Sequence, residues 1–137
     1  MSENSGDPES GDGRRKAREV LNDHLRLRQE GRLDEDLERN YREDVVMLTP
    51  SSTYVGIDGI RDCAALLYKA IEDASEYEYH ATVCDERMAL LEWSATGDDM
   101  AITDGVDSYL IEDGRICAQT VRYTVTFKDL SQARAVG

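Results

Sequence analysis

The chain has 137 residues, 40% of them hydrophobic, and a formal net charge of −13 at pH 7. That length and hydrophobic fraction predict one globular domain with a modest core. The charge argues against a nucleic-acid partner or an anionic membrane surface, because each of these requires a basic face on the protein. We therefore expect neither class of partner.

The cysteines and the chain ends carry little chemistry. Cys63, Cys84 and Cys117 are too few and too far apart for a disulfide framework or a zinc knuckle, so we expect small buried side chains and no metal site. No signal peptide or membrane span of roughly 20 apolar residues is apparent. The sequence predicts a cytoplasmic protein with a disordered tail at 1–13, one domain at 14–128 and a C-terminal tail at 129–137.

The N-terminal half of the chain predicts three helices. The first runs from about Arg14 to Gly31, a residue suited to a helix C-cap. The second spans residues 33–41 and begins with acids, as the helix dipole favours. The third begins near Asp58. The inward faces of the first and third helices are Ala17, Val20, Leu21, His24, Leu25 and Arg28, and Ile60, Cys63, Ala64, Leu67 and Ile71.

Strands fill the rest of the chain. Short strands are predicted at 45–48 and 53–55, between the second and third helices. After Asp73 the hydrophobic period changes to two, which predicts strands at about 76–83 and 87–96. Residues 101–127 then form two long strands joined by the turn Glu112-Asp113-Gly114.

The pairing of this last hairpin decides which residues accompany Asp107. A two-residue turn would place Asp107 and Tyr109 opposite Ala118, Thr120 and Arg122. A three-residue loop with Gly114 in a left-handed bulge would match them instead to Cys117, Gln119, Val121 and Tyr123. We favour the three-residue loop, because it sets apolar side chains beside apolar ones.

Asp107 then lies among apolar and aromatic side chains, which is costly unless the carboxylate belongs to a site. It is therefore the leading candidate functional residue. Two structural roles remain open, namely capping a bulge and pairing with Arg122.

Three helices followed by long antiparallel strands predict an α+β fold in which a curved sheet wraps over helices and encloses a pocket. The sequence resembles the NTF2-like superfamily and, within it, the SnoaL-like polyketide cyclases and ketosteroid isomerases. The segments that carry the resemblance are Gly31-Arg32-Leu33-Asp34, Tyr41-Arg42-Glu43-Asp44-Val45, Tyr54-Val55-Gly56-Ile57-Asp58-Gly59-Ile60, Gly105-Val106-Asp107-Ser108-Tyr109 and Glu112-Asp113-Gly114-Arg115-Ile116. The resemblance implies a conical fold and a homodimer formed through the outer face of the sheet.

The resemblance also assigns candidate site residues. The position of the isomerase general base holds Thr49, whose hydroxyl cannot act as a carboxylate base at neutral pH, so we do not expect ketosteroid isomerase activity. The oxyanion-hole acid of that family falls on Asp107, and its companion tyrosine falls on His24. Limonene epoxide hydrolases share the fold but need an arginine where this chain has Gly105.

His24 and Asp107 are accordingly the predicted catalytic pair, moving a proton beside the carbonyl of a small hydrophobic molecule without a metal or organic cofactor. Two other interpretations stay open: a non-catalytic module that binds a small ligand, and a structural dimerisation domain whose cavity is filled. His24 itself could be a core histidine bonded to a neighbour. The predicted pocket residues are Met47, Thr49, Trp93, Tyr109, Gln119, Val121 and Tyr123.

Overall fold

A computed structural model describes residues 15–71 and 74–127, without the side chains of residues 74 and 75. The tails expected at 1–13 and 129–137 lie outside the described residues. No helix in the described part is long and apolar enough to cross a membrane. The elements in chain order are α1 (Ala17–Gln29), α2 (Leu33–Asn40), β1 (Tyr41–Leu48), β2 (Thr53–Val55), α3 (Gly56–Ala70), β3 (Ala74–Cys84), β4 (Met88–Gly97), β5 (Met100–Glu112), β6 (Arg115–Arg122) and β7 (Thr126–Phe127).

The three helices form where the hydrophobic period predicts them, with two shifted ends. α1 stops before Gly31, whose φ of 75° is the left-handed conformation expected of a C-cap glycine. α2 stops at Asn40 rather than at Tyr41, because Tyr41 has extended backbone and pairs with Ile116 of β6. α3 begins at Gly56, two residues before the predicted cap at Asp58.

The seven strands of the described residues join one sheet in the order β2-β1-β6-β5-β4-β3, with β7 paired to the start of β5. Every pairing is antiparallel except that of β1 with β6. Register shifts interrupt β3 against β4, β4 against β5 and β5 against β6. Such bulges bend strands and increase their twist, so the sheet curves around the helices and stays unclosed.

The hairpin between β5 and β6 confirms the predicted neighbours of Asp107 but not the predicted loop. Asp107 pairs with Val121, and Tyr109 pairs with Gln119. The turn nevertheless has two residues, Asp113 and Gly114, with φ of 55° and 79°. Two left-handed residues suit a tight hairpin turn, and the extra residue that restores the apolar face is a bulge within β6, between Ile116 and Ala118.

β6 ends earlier than predicted. The strand expected to reach Phe127 stops at Arg122, and Thr124 instead bonds to Asp104. The Thr124 backbone N–H and hydroxyl donate to the two oxygens of the Asp104 carboxylate at 2.9 and 2.8 Å. These bonds draw the chain out of the β5–β6 ladder before it returns as β7.

The core lies between the inner face of the sheet and the helices. Trp93 is at its centre, 1% exposed, and its indole lies over Gly105, its partner across the β4–β5 pairing. The cysteines are less enclosed than expected: Cys63, Cys84 and Cys117 are free thiols, each half-buried.

Gly105→Ala is expected to destabilise the fold by about 1–3 kcal/mol, the usual cost of overpacking a core. The added methyl would overlap the indole ring of Trp93, which is held in place by the surrounding core. Urea denaturation followed by circular dichroism measures the loss. In a Trp93→Leu background the same glycine substitution should cost much less, and an equal cost in both backgrounds would contradict the packing argument.

Candidate functional site

A cavity of about 420 Å³ lies between α1, α3 and the inner face of the sheet. Its volume is within the range of small-molecule sites, near the lower end. The wall from α3 and the residue after it is apolar, as the helical period predicts. The polar side chains face it from α1 and the sheet. The lining residues are His24, Leu25, Arg28, Gln29, Met47, Ile60, Cys63, Ala64, Leu67, Tyr68, Ile71, Tyr77, Tyr79, Leu91, Asp107, Tyr109, Gln119, Val121 and Tyr123.

Asp107 lies on the sheet wall of this cavity and is surrounded by hydrogen-bond donors. The Trp93 indole N–H donates to its Oδ1 at 2.9 Å. The Tyr109 hydroxyl and the Gln119 amide donate to its Oδ2 at 3.1 and 3.3 Å. Gln119 is fixed in turn by the Tyr41 hydroxyl, which donates to its Oε1 at 2.6 Å. The carboxyl group is thus held in one orientation by three donors.

Burial raises the pKa of Asp107 above its ordinary value, because the cavity wall withdraws the carboxylate from water. The bond from Trp93, the charge of His24 and the bond from Tyr109 each act in the opposite direction without cancelling the effect of burial. A carboxyl group with a raised pKa is a stronger base when ionised and holds its proton closer to neutral pH. Both properties suit a residue that takes up and returns a proton.

His24 and Asp107 are connected through the hydroxyl of Tyr109. His24 Nε2 lies 3.3 Å from that oxygen, which lies 3.1 Å from Asp107 Oδ2. The His24 ring also packs edge-on against the rings of Tyr41 and Tyr109. Burial raises the pKa of Tyr109 well above its ordinary value, so its hydroxyl stays protonated. It can therefore donate a hydrogen bond to one of these neighbours while it accepts a hydrogen bond from the other.

Asp36 of α2 fixes His24 from the other side. Its side chain is 0% exposed, and its Oδ2 accepts from His24 Nδ1 at 2.8 Å and from Arg28 Nε at 2.6 Å. The Asn40 amide donates to its Oδ1 at 2.8 Å. Burial alone would raise the pKa of Asp36, but the interactions with His24, Arg28 and Asn40 outweigh it and lower that pKa. Asp36 is therefore ionised, and His24 Nδ1 carries a proton.

The structure places the predicted site residues in two groups. Both His24 and Asp107 line the cavity, together with five predicted pocket residues: Met47, Tyr109, Gln119, Val121 and Tyr123. Trp93 lies behind the lining, where Tyr77 stacks on its indole at 5.3 Å between ring centroids. Thr49 follows the end of β1, outside the lining, and its Oγ1 accepts from the Ser52 backbone N–H at 3.0 Å.

Asp36, Arg28 and Tyr41 were not identified as site residues from the sequence. One signal for Asp36 was available, because it shares a helical face with Leu33, Leu37 and Asn40 at i, i+3, i+4 and i+7 spacing. Arg28 had been placed on the inward face of α1 without a role. Within residues 15–71 and 74–127, no cluster of three or more His, Cys, Asp or Glu side chains is arranged to hold a metal ion.

The curved sheet, the three helices and the enclosed cavity define an α+β cone, and comparison with known proteins gives its family. The family model for the SnoaL-like domain matches residues 21–119. The chain therefore belongs to the SnoaL-like family. No protein of curated function matches it.

Solved structures with the same fold come from several bacteria. A steroid delta-isomerase from Pseudomonas aeruginosa is 22% identical with a TM-score of 0.61, covering 88% of this chain and 85% of its own. A putative polyketide cyclase from Sinorhizobium meliloti is 21% identical with a TM-score of 0.60, covering 75% and 93%. An NTF-2 like protein of unknown function from Burkholderia xenovorans LB400 is 17% identical with a TM-score of 0.64, covering 86% and 90%. At these identities the likeness establishes the fold.

Asp36→Asn is expected to lower the free energy of unfolding by about 3–5 kcal/mol near neutral pH, because it leaves the Arg28 charge without its buried partner. The lowered pKa of Asp36 means that its contribution is present above the unfolded pKa of about 4 and is lost as the pH falls through the folded pKa. Denaturation curves at several pH values should therefore show the two proteins converging in acid.

Asp34→Asn is the matched control for this prediction. Asp34 is on the same helix, but its side chain is 84% exposed and it pairs with the exposed Arg61. An exposed pair of this kind contributes little to stability. Similar losses for the two variants, or a pH-independent loss for Asp36→Asn, would contradict the role assigned to Asp36.

Proposed function

We propose that this protein is a cofactor-independent enzyme that moves a proton at the carbon beside the carbonyl group of a small, largely apolar compound, in an isomerisation, cyclisation or dehydration. The observation that carries the proposal is the Asp107 carboxyl group, which borders an apolar cavity, has a raised pKa and is oriented by three hydrogen-bond donors. A general base needs a fixed orientation and a pKa near the working pH, and Asp107 has the features that favour both.

In the proposed step, ionised Asp107 removes a proton from the carbon next to the ligand carbonyl. The electron pair of that C–H bond becomes the enolate, and the proton resides on the carboxyl group. Return of the proton to another carbon of the conjugated system completes an isomerisation. Transfer of the proton to a leaving hydroxyl releases water, which is a dehydration. In a cyclisation the enolate carbon bonds to the carbon of a second carbonyl group, and the proton goes to the oxygen of that group. Each outcome balances without a co-reactant.

His24 and Tyr109 support this step by giving the captured proton a second position. The captured proton can lie on Asp107, which then donates to the Tyr109 hydroxyl while that hydroxyl donates to His24 Nε2. It can instead lie on His24 Nε2, which then donates to the Tyr109 hydroxyl while that hydroxyl donates to Asp107. The two arrangements have the same net charge, so conversion between them avoids the cost of adding a charge to the interior.

A non-catalytic binding module is the second candidate function, and one observation favours it. Thr49 occupies the position of the isomerase base, and its hydroxyl is engaged with Ser52 rather than facing the cavity. A ligand held by the same cavity would then keep its protons.

Asp107→Asn should slow exchange of the α-hydrogens of 1-tetralone for deuterium by about 10²–10⁴-fold relative to the wild type, the usual contribution of a general base. Proton NMR in deuterated buffer measures the exchange. Glu112→Gln is the matched control, since Glu112 is on the same strand but makes exposed pairs with Arg87 and Arg42. Equal exchange by the wild type and Asp107→Asn would favour the binding module.

The pH dependence gives an independent check on Asp107. Exchange should rise with pH through the raised pKa of Asp107, because only the ionised carboxylate accepts a proton. The emission of Trp93, the single tryptophan, should titrate with the same midpoint, since its indole N–H donates directly to Asp107. A midpoint in the ordinary aspartate range, or a titration that persists in Asp107→Asn, would argue against the proposed base.

We also infer that two copies of the chain associate through the outer face of the sheet. An uncharged row crosses five neighbouring strands on that face, although one third of the residues in the chain are charged. The row follows the strand register and consists of Met88, Leu110, Ala118, Val46 and Val55. Met88 and Val55 are more than 60% exposed, and such an apolar surface favours burial against a self-complementary copy.

Ala118→Glu should shift the protein from dimer to monomer, because a twofold interface would bring two carboxylates together at the centre of the row. Sedimentation velocity measures the change. Leu66→Glu is the matched control, since Leu66 is 56% exposed on α3, away from the sheet. A monomeric wild type, or dissociation of both variants, would contradict this mode of association.

A further inference from the structure

We propose that the ligand carries a carboxylate in addition to its carbonyl group, and that the guanidinium of Arg28 binds this carboxylate at the mouth of the cavity. The inference rests on the proposed function for the ligand carbonyl, and it adds the class of substrate: aryl or cyclic keto acids.

Arg28 presents unused donors to the cavity. Its Nε donates to Asp36, and its side chain is 16% exposed and lines the cavity. Among the described residues, neither terminal nitrogen of this guanidinium has a hydrogen-bond partner within the protein. A guanidinium has five N–H groups in a planar fork, so the edge formed by the two terminal nitrogens remains available for a ligand.

Arg28 is positively charged. Burial acts against it, but the neighbouring Tyr41 and Asp36 groups outweigh burial and raise the pKa of Arg28 above its ordinary value. Arg28 is the only lysine or arginine among the described lining residues. Asp36 binds the Nε side of the group from outside the cavity and leaves its far edge unneutralised by contact.

A carboxylate matches that edge better than a neutral oxygen does. Two parallel N–H···O bonds from arginine to a carboxylate are charge-assisted and geometrically specific. A partly desolvated cation also gains more from an anion than from a neutral acceptor, because the local dielectric constant is low. The arrangement therefore selects for a ligand with an anionic oxygen pair.

The position of Arg28 sets the orientation of such a ligand. The most exposed lining residues are Gln29 and Tyr68. Gln29 follows Arg28 in the chain, and Tyr68 is close enough to act electrostatically on the Arg28 guanidinium. The opening of the cavity therefore lies beside Arg28. Asp107 lies against the core residue Trp93. A keto acid would then keep its carboxylate at the mouth and direct its carbonyl-bearing part towards Asp107.

The test compares two probes that differ in one group, 4-oxo-4-phenylbutanoate and 4-oxo-4-phenylbutanamide, by isothermal titration calorimetry. The wild type should bind the carboxylate at least about tenfold more tightly than the amide, as expected for a charge-assisted pair. Arg28→Gln keeps a side-chain N–H for Asp36 and should lose that preference. Arg26→Gln, two residues away on the exposed face of α1, removes the same charge outside the cavity and should keep the carboxylate preference.

Comparing the two probes on the wild type needs no variant, so it tests the role of Arg28 even if Arg28→Gln is poorly folded. Absence of a carboxylate preference in the wild type, including absence of carboxylate binding, would overturn the inference. So would a preference that survives in a folded Arg28→Gln protein. Deuterium exchange is measured separately on the same probes. Tight carboxylate binding without exchange would contradict the proposed catalysis and leave the assignment of Arg28 intact.

Discussion

The geometry of the polar wall depends on one buried carboxylate, that of Asp36. It accepts from His24 and Arg28, which are four residues apart on α1 and so lie on one face of the helix. Because its Oδ2 serves both, the imidazole and the guanidinium are fixed relative to each other as well as to α2. Loss of this carboxylate would release the two side chains and one of the polar contacts between the first two helices, the other being that of Asp23 with Arg39 and Asn40. Stability and site geometry are therefore coupled through a single group.

The Asp36 carboxylate also affects the balance of charge among the ionisable groups around the cavity. Asp36 contacts Arg28 only at Nε, and in the proposed exchange His24 and Asp107 share one captured proton through Tyr109. In a medium of low dielectric constant an unbalanced charge is expensive, whereas moving a proton between two balanced arrangements is not. Tyr109 has to remain a neutral hydroxyl for this exchange, and its strongly raised pKa ensures that. The proposed site thus combines an apolar lining with a proton that can lie on either Asp107 or His24.

The sequence was sufficient for the fold and for the strand partners of Asp107, but not for the buried acid that bonds to His24. Hydrophobic periods located the helices and strands, and the preference for apolar neighbours gave the correct partners of Asp107, although the bulge lies in β6 rather than in the turn. Asp36 was missed because its contact with His24 is tertiary. In the run Asp34-Glu35-Asp36 only the helical face shared with Leu37 singles out the buried acid, and that signal competes with the general preference for acids at a helix start.

Charge at a distance and charge in contact act in opposite directions on an anionic ligand of this protein. A net charge of −13 repels an anion from the molecule as a whole and slows its approach. Inside the cavity, Arg28 is close enough to bond directly, and a bidentate pair in a partly desolvated site outweighs a screened long-range field. Added salt weakens the repulsion more than it weakens the buried pair. The acidic surface therefore limits how fast an anion enters, while Arg28 determines which anion stays.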